Sequence, residues 1–404
     1  MSWKLIPSTP KSPSFFAIFR IIFGTYLAIH FVNLIPYASE LYSREGVLAD
    51  ASLNFTAGRF PNLLTAVDSP IGASLFVSSL AILSVMLIFG VRRRTVSLLL
   101  WYGWACLFHR NNLISNPGLP FIGWLLLASA AVPGEDEEGH IRIPQPLFAG
   151  AWLIMALSYT ISGYHKLSAT SWTDGSAIIH LMSNPLARDT AFRTFMLSLP
   201  GALLRLMTWG VLALEVLFLP LSLFHRGRLV AWVAMVGAHL GILTCVNFSD
   251  LTFGVLMVHV FTFDPSWLPG IRSKGEEPSI LFFDGYCGLC DGFVSFVLRE
   301  DLSGVVRLGA LQGPEAARRL PEALTRDVGT VAYLEGARVW TRSDAVLRVL
   351  YRIGGLWRLS IILWCVPRRL RDAAYSLVAS NRYRWFGRKA SCRMPTPSER
   401  ARFV

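Results

Sequence analysis

The sequence predicts an all-α polytopic membrane bundle of about eight spans followed by a small α/β domain. Three observations carry that prediction. First, 53% of the 404 residues are hydrophobic and only 16% charged, with a mean hydropathy of +0.46, whereas a soluble domain carries roughly a quarter charged residues. Second, the long apolar runs fall before about residue 265, while most of the net charge of +12 falls after residue 270. Third, "LFFDGYCGLCDG", Leu281–Gly292, sets a C-x-x-C pair where a short apolar run gives way to helical spacing. The boundary is expected in "PSWLPGIRSKGEEPS", Pro265–Ser279, which has the Pro, Gly, Ser and charge content of a linker. The expected division is a membrane domain over 1–268, a linker over 269–278 and a second domain over 279–404.

A span needs roughly 20 mostly apolar residues. Candidate cores are Phe15–Pro36, Ile71–Val91, Thr95–Phe108, Leu119–Val132, Leu147–Tyr164, Leu199–Phe224, Leu229–Val246 and Leu251–Phe263, of which the third, fourth and eighth are short. The N-terminus has basic residues before its apolar stretch but no short h-region with an A-x-A cleavage site, so the first span reads as retained. Lys/Arg bias in short loops sets orientation. With eight spans, Lys4 and Lys11, Arg92–Arg94, "HRGR" at His225–Arg228, and Arg272 with Lys274 all fall on one side, as does the acidic "GEDEE" at Gly134–Glu138. Both termini are therefore expected in the cytoplasm of a bacterial inner-membrane protein, which puts the C-x-x-C in a reducing compartment. Six cysteines make no disulfide scaffold; Cys106 and Cys245, inside apolar runs, read as buried, inert thiols.

Charged groups within spans are costly and face a bundle interior or a water-filled cavity. The candidates are Arg20 and His30, the "HRNN" group His109, Arg110, Asn111 and Asn112, the "YHK" group ending at Lys166, Arg205 with Glu215, His239 and His259. Arg20 reads as a snorkelling side chain, and His109, Arg110, Lys166 and Arg205 lie near span ends, where long side chains reach the interface. Glu215 differs, because "GVLALEVLFLPLSLF" gives it only apolar neighbours in sequence; ionised, it needs a partner such as Lys166, Arg110 or His239.

At "YTISGYHKLSATSWTDGSAIIHLM", Tyr159–Met182, the S-G-x-x-K-L run followed by W-x-D-G resembles the HTTM family, the membrane domain related to vitamin K-dependent gamma-glutamyl carboxylases. "FHRNNLISNPG", Phe108–Gly118, and "GAHLGILTCVNFSDLTFGVLMVHVFTFDPSW", Gly237–Trp267, resemble it too, in the expected order. The resemblance covers most of residues 12–268. It implies Lys166 as a base, with Trp172 in the adjoining motif, and a reduced quinone as the redox partner. A lysine works as a base only where desolvation disfavours its charge. The sequence departs from the carboxylases at Leu113, where they carry a histidine after the Asn-Asn pair, and lacks their large lumenal portion.

Beyond the linker, "SILFFDG" reads as a strand, "LCDGFVSFVLRED" as a helix, "VVRLGAL" as a strand and "GPEAARRLPEAL" as a helix. "VGTVAYLEGARVWT" reads as a hairpin turning at Glu335-Gly336, and "RSDAVLRVLYRIGG" as a helix capped by Ser343 or Asp344. That order, with a C-x-x-C after the first strand, is that of a thioredoxin-like domain. Cys287, at the start of a helix, meets the free N–H groups of the first turn, which favour thiolate. Cys290, one turn on, is placed to resolve a mixed disulfide. Asp284 either accepts a proton during resolution or closes the turn. A four-cysteine zinc site needs Cys365 and Cys392 as its second pair, which lack knuckle spacing, so no metal is assigned. A phosphatase-like reading of "FFDGY" wants a second aspartate where Tyr286 stands and is set aside.

"FFDGYCGLC", "RSDAVLRVL", "VPRRLRDAAYSLVASNRYRWFGRKASC" and the final "RF" resemble the DCC family of thiol-disulfide oxidoreductases over about residues 278–404. That resemblance implies Cys287 as nucleophile, Cys290 as resolving thiol and a match for Cys392 in the family's late cysteine. "TRDVGTVAY" lacks the proline that thioredoxins carry before the third strand. The Arg- and aromatic-rich stretch from Leu356 onward serves as solvated helix face and core, or lies against anionic lipid; nucleic-acid binding fits least. Three readings remain: a membrane-bound oxidoreductase acting on a protein or small-molecule disulfide, coupled to a quinone or other lipid-soluble partner; a carboxylase- or epoxidase-like membrane enzyme with Lys166 as base and the dithiol as its reductant; and a non-enzymatic membrane anchor with structural cysteines.

Overall fold

The computed structural model describes residues 12–134, 141–247, 249–268, 279–326, 328–397 and 399–404. They form two compact units, one of residues 15–264 and one of residues 265–404 with residues 12–14. The expected linker at 269–278, Lys4, Lys11, Arg272, Lys274 and most of the acidic Gly134–Glu138 stretch lie outside the described residues.

The first unit is helical: α1 (Phe15–Leu34), α2 (Pro70–Phe89), α3 (Arg93–Arg110), α4 (Leu119–Ala131), α5 (Gln145–Lys166), α6 (Gly201–Val216), α7 (His225–Cys245) and α8 (Ser249–Thr262), with shorter helical pieces between. Among the described residues, four helices are long and apolar enough to cross a bilayer: α1 with its continuation to Tyr42, α2, α5 and α7. A fifth is counted if Ala191–Ser198 and α6, bent by 108° to each other, make one broken span. Of the expected eight, four or five are therefore shown among the described residues. With 13 and 14 residues, α4 and α8 are about 20 Å long, short of the ~30 Å hydrocarbon layer, and α3 carries Arg93, Arg94 and Arg110. On this count the placement of both termini on one side no longer follows.

Local chemistry explains the ends of these helices. Ser69 caps α2 through its Oγ, which accepts from the Gly72 N–H at 3.1 Å, Pro70 occupies the first turn, and Gly90 at φ +75° ends it. Arg20 does not snorkel. Its guanidinium donates to the Leu87 and Ile88 carbonyls, both at 2.7 Å, and so satisfies free acceptors at the end of α2. Gly163 brings α5 and α6 together, since a Cβ there would lie 2.7 Å from the Val216 nitrogen. That close approach sets the end of α5 against Glu215.

The second unit is an α/β domain around a four-stranded sheet of order β2-β1-β3-β4, made of β1 (Ser279–Phe283), β2 (Val306–Ala310), β3 (Ala332–Glu335) and β4 (Arg338–Thr341). β1 pairs parallel with β2, Ser279 opposite Val306, and antiparallel with β3, Leu281 opposite Tyr333. α9 (Gly288–Glu300) makes the crossover, and α10 (Arg342–Ile353) and α11 (Arg368–Phe386) complete the domain. All five β1 residues are buried because both faces are covered. Leu281 and Phe283 pack with Val294, Val297, Leu308 and Val349, whereas Ile280 and Phe282 pack with Leu311, Ala316 and Leu334.

Two local expectations are corrected. "GPEAARRLPEAL" forms two short helices, Pro314–Arg319 and Glu322–Arg326, because Pro321 cannot continue the first. Neither Ser343 nor Asp344 caps α10. The helix follows Thr341 with no side-chain cap, Arg342 takes φ +55°, and Ser343 donates to Asp372 at 2.5 Å while Asp344 accepts from Arg371 at 2.9 Å.

Candidate active site

The buried strand β1 delivers a three-residue turn, Asp284-Gly285-Tyr286, to the start of α9. Asp284 is 2% exposed and has its carboxylate filled by donors. Oδ1 accepts from the Tyr286 N–H at 3.1 Å and from Gln312 Nε2 at 2.9 Å; Oδ2 accepts from the Tyr383 hydroxyl and from the Arg382 guanidinium at 3.4 Å. Burial alone would raise this carboxyl, but the Tyr383, Tyr286 and Gln312 hydrogen bonds and the Arg382 charge outweigh it and hold it below the usual carboxylate value. Asp284 thus closes the turn as an anion, and a carboxylate so held is a weak proton acceptor.

Cys287 is the N-cap of α9, at φ −90° and ψ 122°, and its sulfur accepts from the Cys290 N–H at 3.4 Å. The sulfur thus satisfies one of the free N–H groups of the helix's first turn. Cys290 is 8% exposed, and burial, then the neighbouring Cys287 sulfur, push its thiol up to about 12. Cys290 therefore keeps its proton at neutral pH. The two sulfurs are chemically unlike: one faces helix donors, and the other is held protonated.

Cys287 itself is fully buried, and a strap from far along the sequence covers it. After α11 ends at Phe386, Gly387 turns at φ +77° and its carbonyl accepts from the Gly288 N–H at 3.2 Å. Arg388 bridges to Cys287, and the Lys389 N–H donates to the Tyr286 carbonyl at 2.8 Å. Lys389 and Arg393 bind Asp291 at 2.5 and 3.0 Å, and Arg393 also donates to Ser295 at 2.6 Å. Two glycines permit this fit: a Cβ on Gly285 would lie 2.2 Å from the Cys392 sulfur, and one on Gly288 2.2 Å from the Phe386 carbonyl oxygen. Cys365 is exposed, and among the described residues no group of three or more His, Cys, Asp or Glu is arranged to hold a metal. A cavity of about 400 Å³ adjoins Cys290, walled by Leu289, Phe293, Val346, Tyr375 and Val378, with Arg382 among its lining residues.

Of the residues singled out in the helical unit, Lys166, Glu215 and Trp172 meet in one group, with His239 close enough to feel the Lys166 charge, whereas Arg110, Asn111 and Asn112 are bound to other segments. Lys166 is the partner of Glu215, with Nζ 2.6 and 2.7 Å from the two carboxylate oxygens, and it also lies 4.3 Å above the Trp172 ring. His239 instead meets the Tyr159 hydroxyl at 2.8 Å. Arg110, fully buried, donates to the Leu48 and Ser43 carbonyls, both at 2.7 Å, and Asn111 to the Leu41 carbonyl at 2.8 Å, so the pair pins the chain between residues 41 and 48. The Asn112 carbonyl accepts from the Ser115 N–H at 3.1 Å in a turn.

Tyr383, Arg382, Gln312, Asp291, Lys389 and Arg393 were not read from the sequence as site residues. The available signal was their motif: "NRYRWFGRKASC" holds three of the six, and Arg393 follows it directly.

A dithiol whose first sulfur caps a helix at the end of a buried central strand belongs to the class of domains that exchange thiols with disulfides. A family model described as "DCC1-like thiol-disulfide oxidoreductase" matches residues 281–388. The uncharacterized protein YuxK of Bacillus subtilis (strain 168) is 36% identical over 127 residues, which is 31% of this chain and 93% of that protein. The DCC family protein At1g52590, chloroplastic, of Arabidopsis thaliana is 37% identical over 134 residues, 32% of this chain and 77% of that one. Through its C-terminal domain, the chain belongs to the DCC1-like thiol-disulfide oxidoreductase family. No solved structure matches it. The family model lies wholly within the second unit and does not reach the helical one, whose likeness to HTTM proteins rests on its motifs alone.

Proposed function

We propose that the chain is a membrane-attached thiol-disulfide oxidoreductase whose thioredoxin-like C-terminal domain works through Cys287 and Cys290. Its family supports the class of chemistry, and one observation supports the roles: Cys287 accepts the Cys290 N–H at the helix start, while Cys290 stays protonated. In reduction, the Cys287 thiolate attacks one sulfur of a protein or small-molecule disulfide. The S–S bond breaks, a mixed disulfide forms, and the other substrate sulfur leaves as thiolate. Cys290 gives up its proton to that leaving thiolate and attacks the Cys287 sulfur. The Cys287–Cys290 disulfide forms and the second substrate sulfur departs, to be protonated by solvent. Two electrons pass to the substrate.

Substrate reaches Cys287 only when residues 387–393 lift away, because that sulfur is fully buried. The apolar cavity beside Cys290 suits an apolar group next to the substrate sulfur. A quinone is the lipid-soluble partner whose two-electron, two-proton change matches the dithiol. The exposed Ile361, Ile362 and Leu363, close to Arg368 and Arg369, suit contact with an anionic bilayer surface.

Reduced full-length protein in lipid nanodiscs is expected to cleave one aryl disulfide per chain, after which peptide mass mapping finds Cys287 joined to Cys290. Thiol release that leaves both cysteines free would reject the assignment.

A further inference from the structure

The helical unit contains a cavity of about 560 Å³, walled by residues of α1, α3 and α8 and the segments joining them. It belongs neither to the dithiol nor to the Lys166–Glu215 pair. Its distinctive polar feature is a His–Asp couple. His30, near the end of α1, places Nδ1 2.9 Å from Asp250 Oδ1 at the start of α8. The same carboxylate accepts from Asn116 Nδ2 at 3.1 Å and from the Tyr26 hydroxyl at 3.4 Å. A carboxylate only accepts, so the proton between His30 and Asp250 belongs on Nδ1, which leaves Nε2 as the ring nitrogen open to a ligand. That nitrogen has no hydrogen-bond partner among the described residues.

The neighbours of the ring hold it in place and say what else the cavity accepts. Trp104 and Tyr26 pack their rings 5.1 and 6.0 Å from the imidazole centroid. Asn111, which also lines the cavity, is spent on the chain: it donates to the Leu41 carbonyl at 2.8 Å and accepts from the Leu113 N–H at 3.1 Å. The exposed lining includes Ile22, Ile29, Ile114 and Phe253, so the approach to the cavity is largely apolar. A charged ligand would lose its hydration against these walls, an anion would also meet the Asp250 carboxylate, and three donors already occupy that carboxylate against a cation.

We infer that this cavity binds an uncharged, lipid-soluble molecule bearing a hydroxyl group, which donates its hydrogen bond to His30 Nε2 while its apolar body lies against Tyr26, Trp104 and Phe253. Asp250, Asn116 and Tyr26 act as positioning residues that fix the tautomer and the ring.

The experiment compares biphenyl-4-ol with 4-methoxybiphenyl, in which a methyl group replaces the donor hydrogen, by fluorescence titration of the full chain in nanodiscs. The phenol is expected to bind about fivefold more tightly, the worth of one hydrogen bond. His30→Phe, which keeps an aromatic ring but not Nε2, is expected to erase that preference and leave the ether's affinity unchanged. Asp250→Asn, which frees the imidazole, is expected to shrink it. Equal affinities in the unaltered protein, a preference that survives His30→Phe, or the absence of saturable binding would each overturn the inference. If His30→Phe binds neither probe, Asp250→Asn decides: lost preference with retained ether binding supports the site, and retained preference overturns it.

Discussion

Serine in place of Cys287 is expected to bring disulfide reduction by the full chain down to background, a loss on the order of a thousandfold or more. Serine in place of Cys290 should stop the same reaction one step later, with the substrate sulfur held on Cys287 as a mixed disulfide. The two outcomes differ because the sulfurs do. The Cys287 sulfur faces the first turn of α9 and accepts the Cys290 N–H, and the proposed mechanism has it begin the exchange. Cys290, whose thiol burial pushes up to about 12, is in the proposed mechanism the thiol that acts on a disulfide already formed three residues away. Peptide mapping under non-reducing conditions separates the cases: no adduct on Cys290 for Cys287→Ser, an adduct on Cys287 for Cys290→Ser. Adducts appearing in the opposite variant would reverse the roles.

Asp284→Ala is expected to destabilise the C-terminal domain by about 3 kcal/mol, the scale for removing one partner of a buried charged network. It leaves Gln312, Tyr383, the Tyr286 N–H and the Arg382 guanidinium without their shared acceptor. The pH dependence has a definite sign. The folded carboxyl sits below its ordinary value, so its contribution is complete above about pH 4, the unfolded value, and is lost as pH falls through the lowered folded value. Urea unfolding of the full chain, followed by Trp340 and Trp357 fluorescence, should show a lower midpoint for the variant at pH 7. The gap should narrow on acidification below about pH 4. An equal gap at both pH values would mean that the carboxylate charge plays no part.

The dithiol was legible because everything that shapes it is local: the strand, the Asp-Gly turn and the helix start lie within Ser279–Glu300. The strap was not. It meets the turn across about a hundred residues of sequence, and only three dimensions show Cys392 against Gly285 or Arg393 on Asp291. In the helical unit the need of Glu215 for a cation was readable, and Lys166 supplies it. The span count was less so, because apolar content marks a helix as buried without saying whether it is long enough to cross. Thus α4 and α8 are apolar but short, and α3 carries three arginines. His30 was noticed as a polar residue in a span, but its partner escaped notice. Asp250 sits at the start of α8, where an acidic residue reads as ordinary helix-end chemistry.

The central claim is that Cys287 and Cys290 form a reversible two-electron couple, and a redox titration of the full chain in nanodiscs tests it most directly. Protein equilibrated in glutathione buffers of graded poise and then alkylated is expected to lose both thiols together along a two-electron curve. The oxidised end should be an intramolecular Cys287–Cys290 disulfide found by peptide mapping. Thiols that stay free across the whole range, or oxidise only as separate glutathione adducts, would contradict the account.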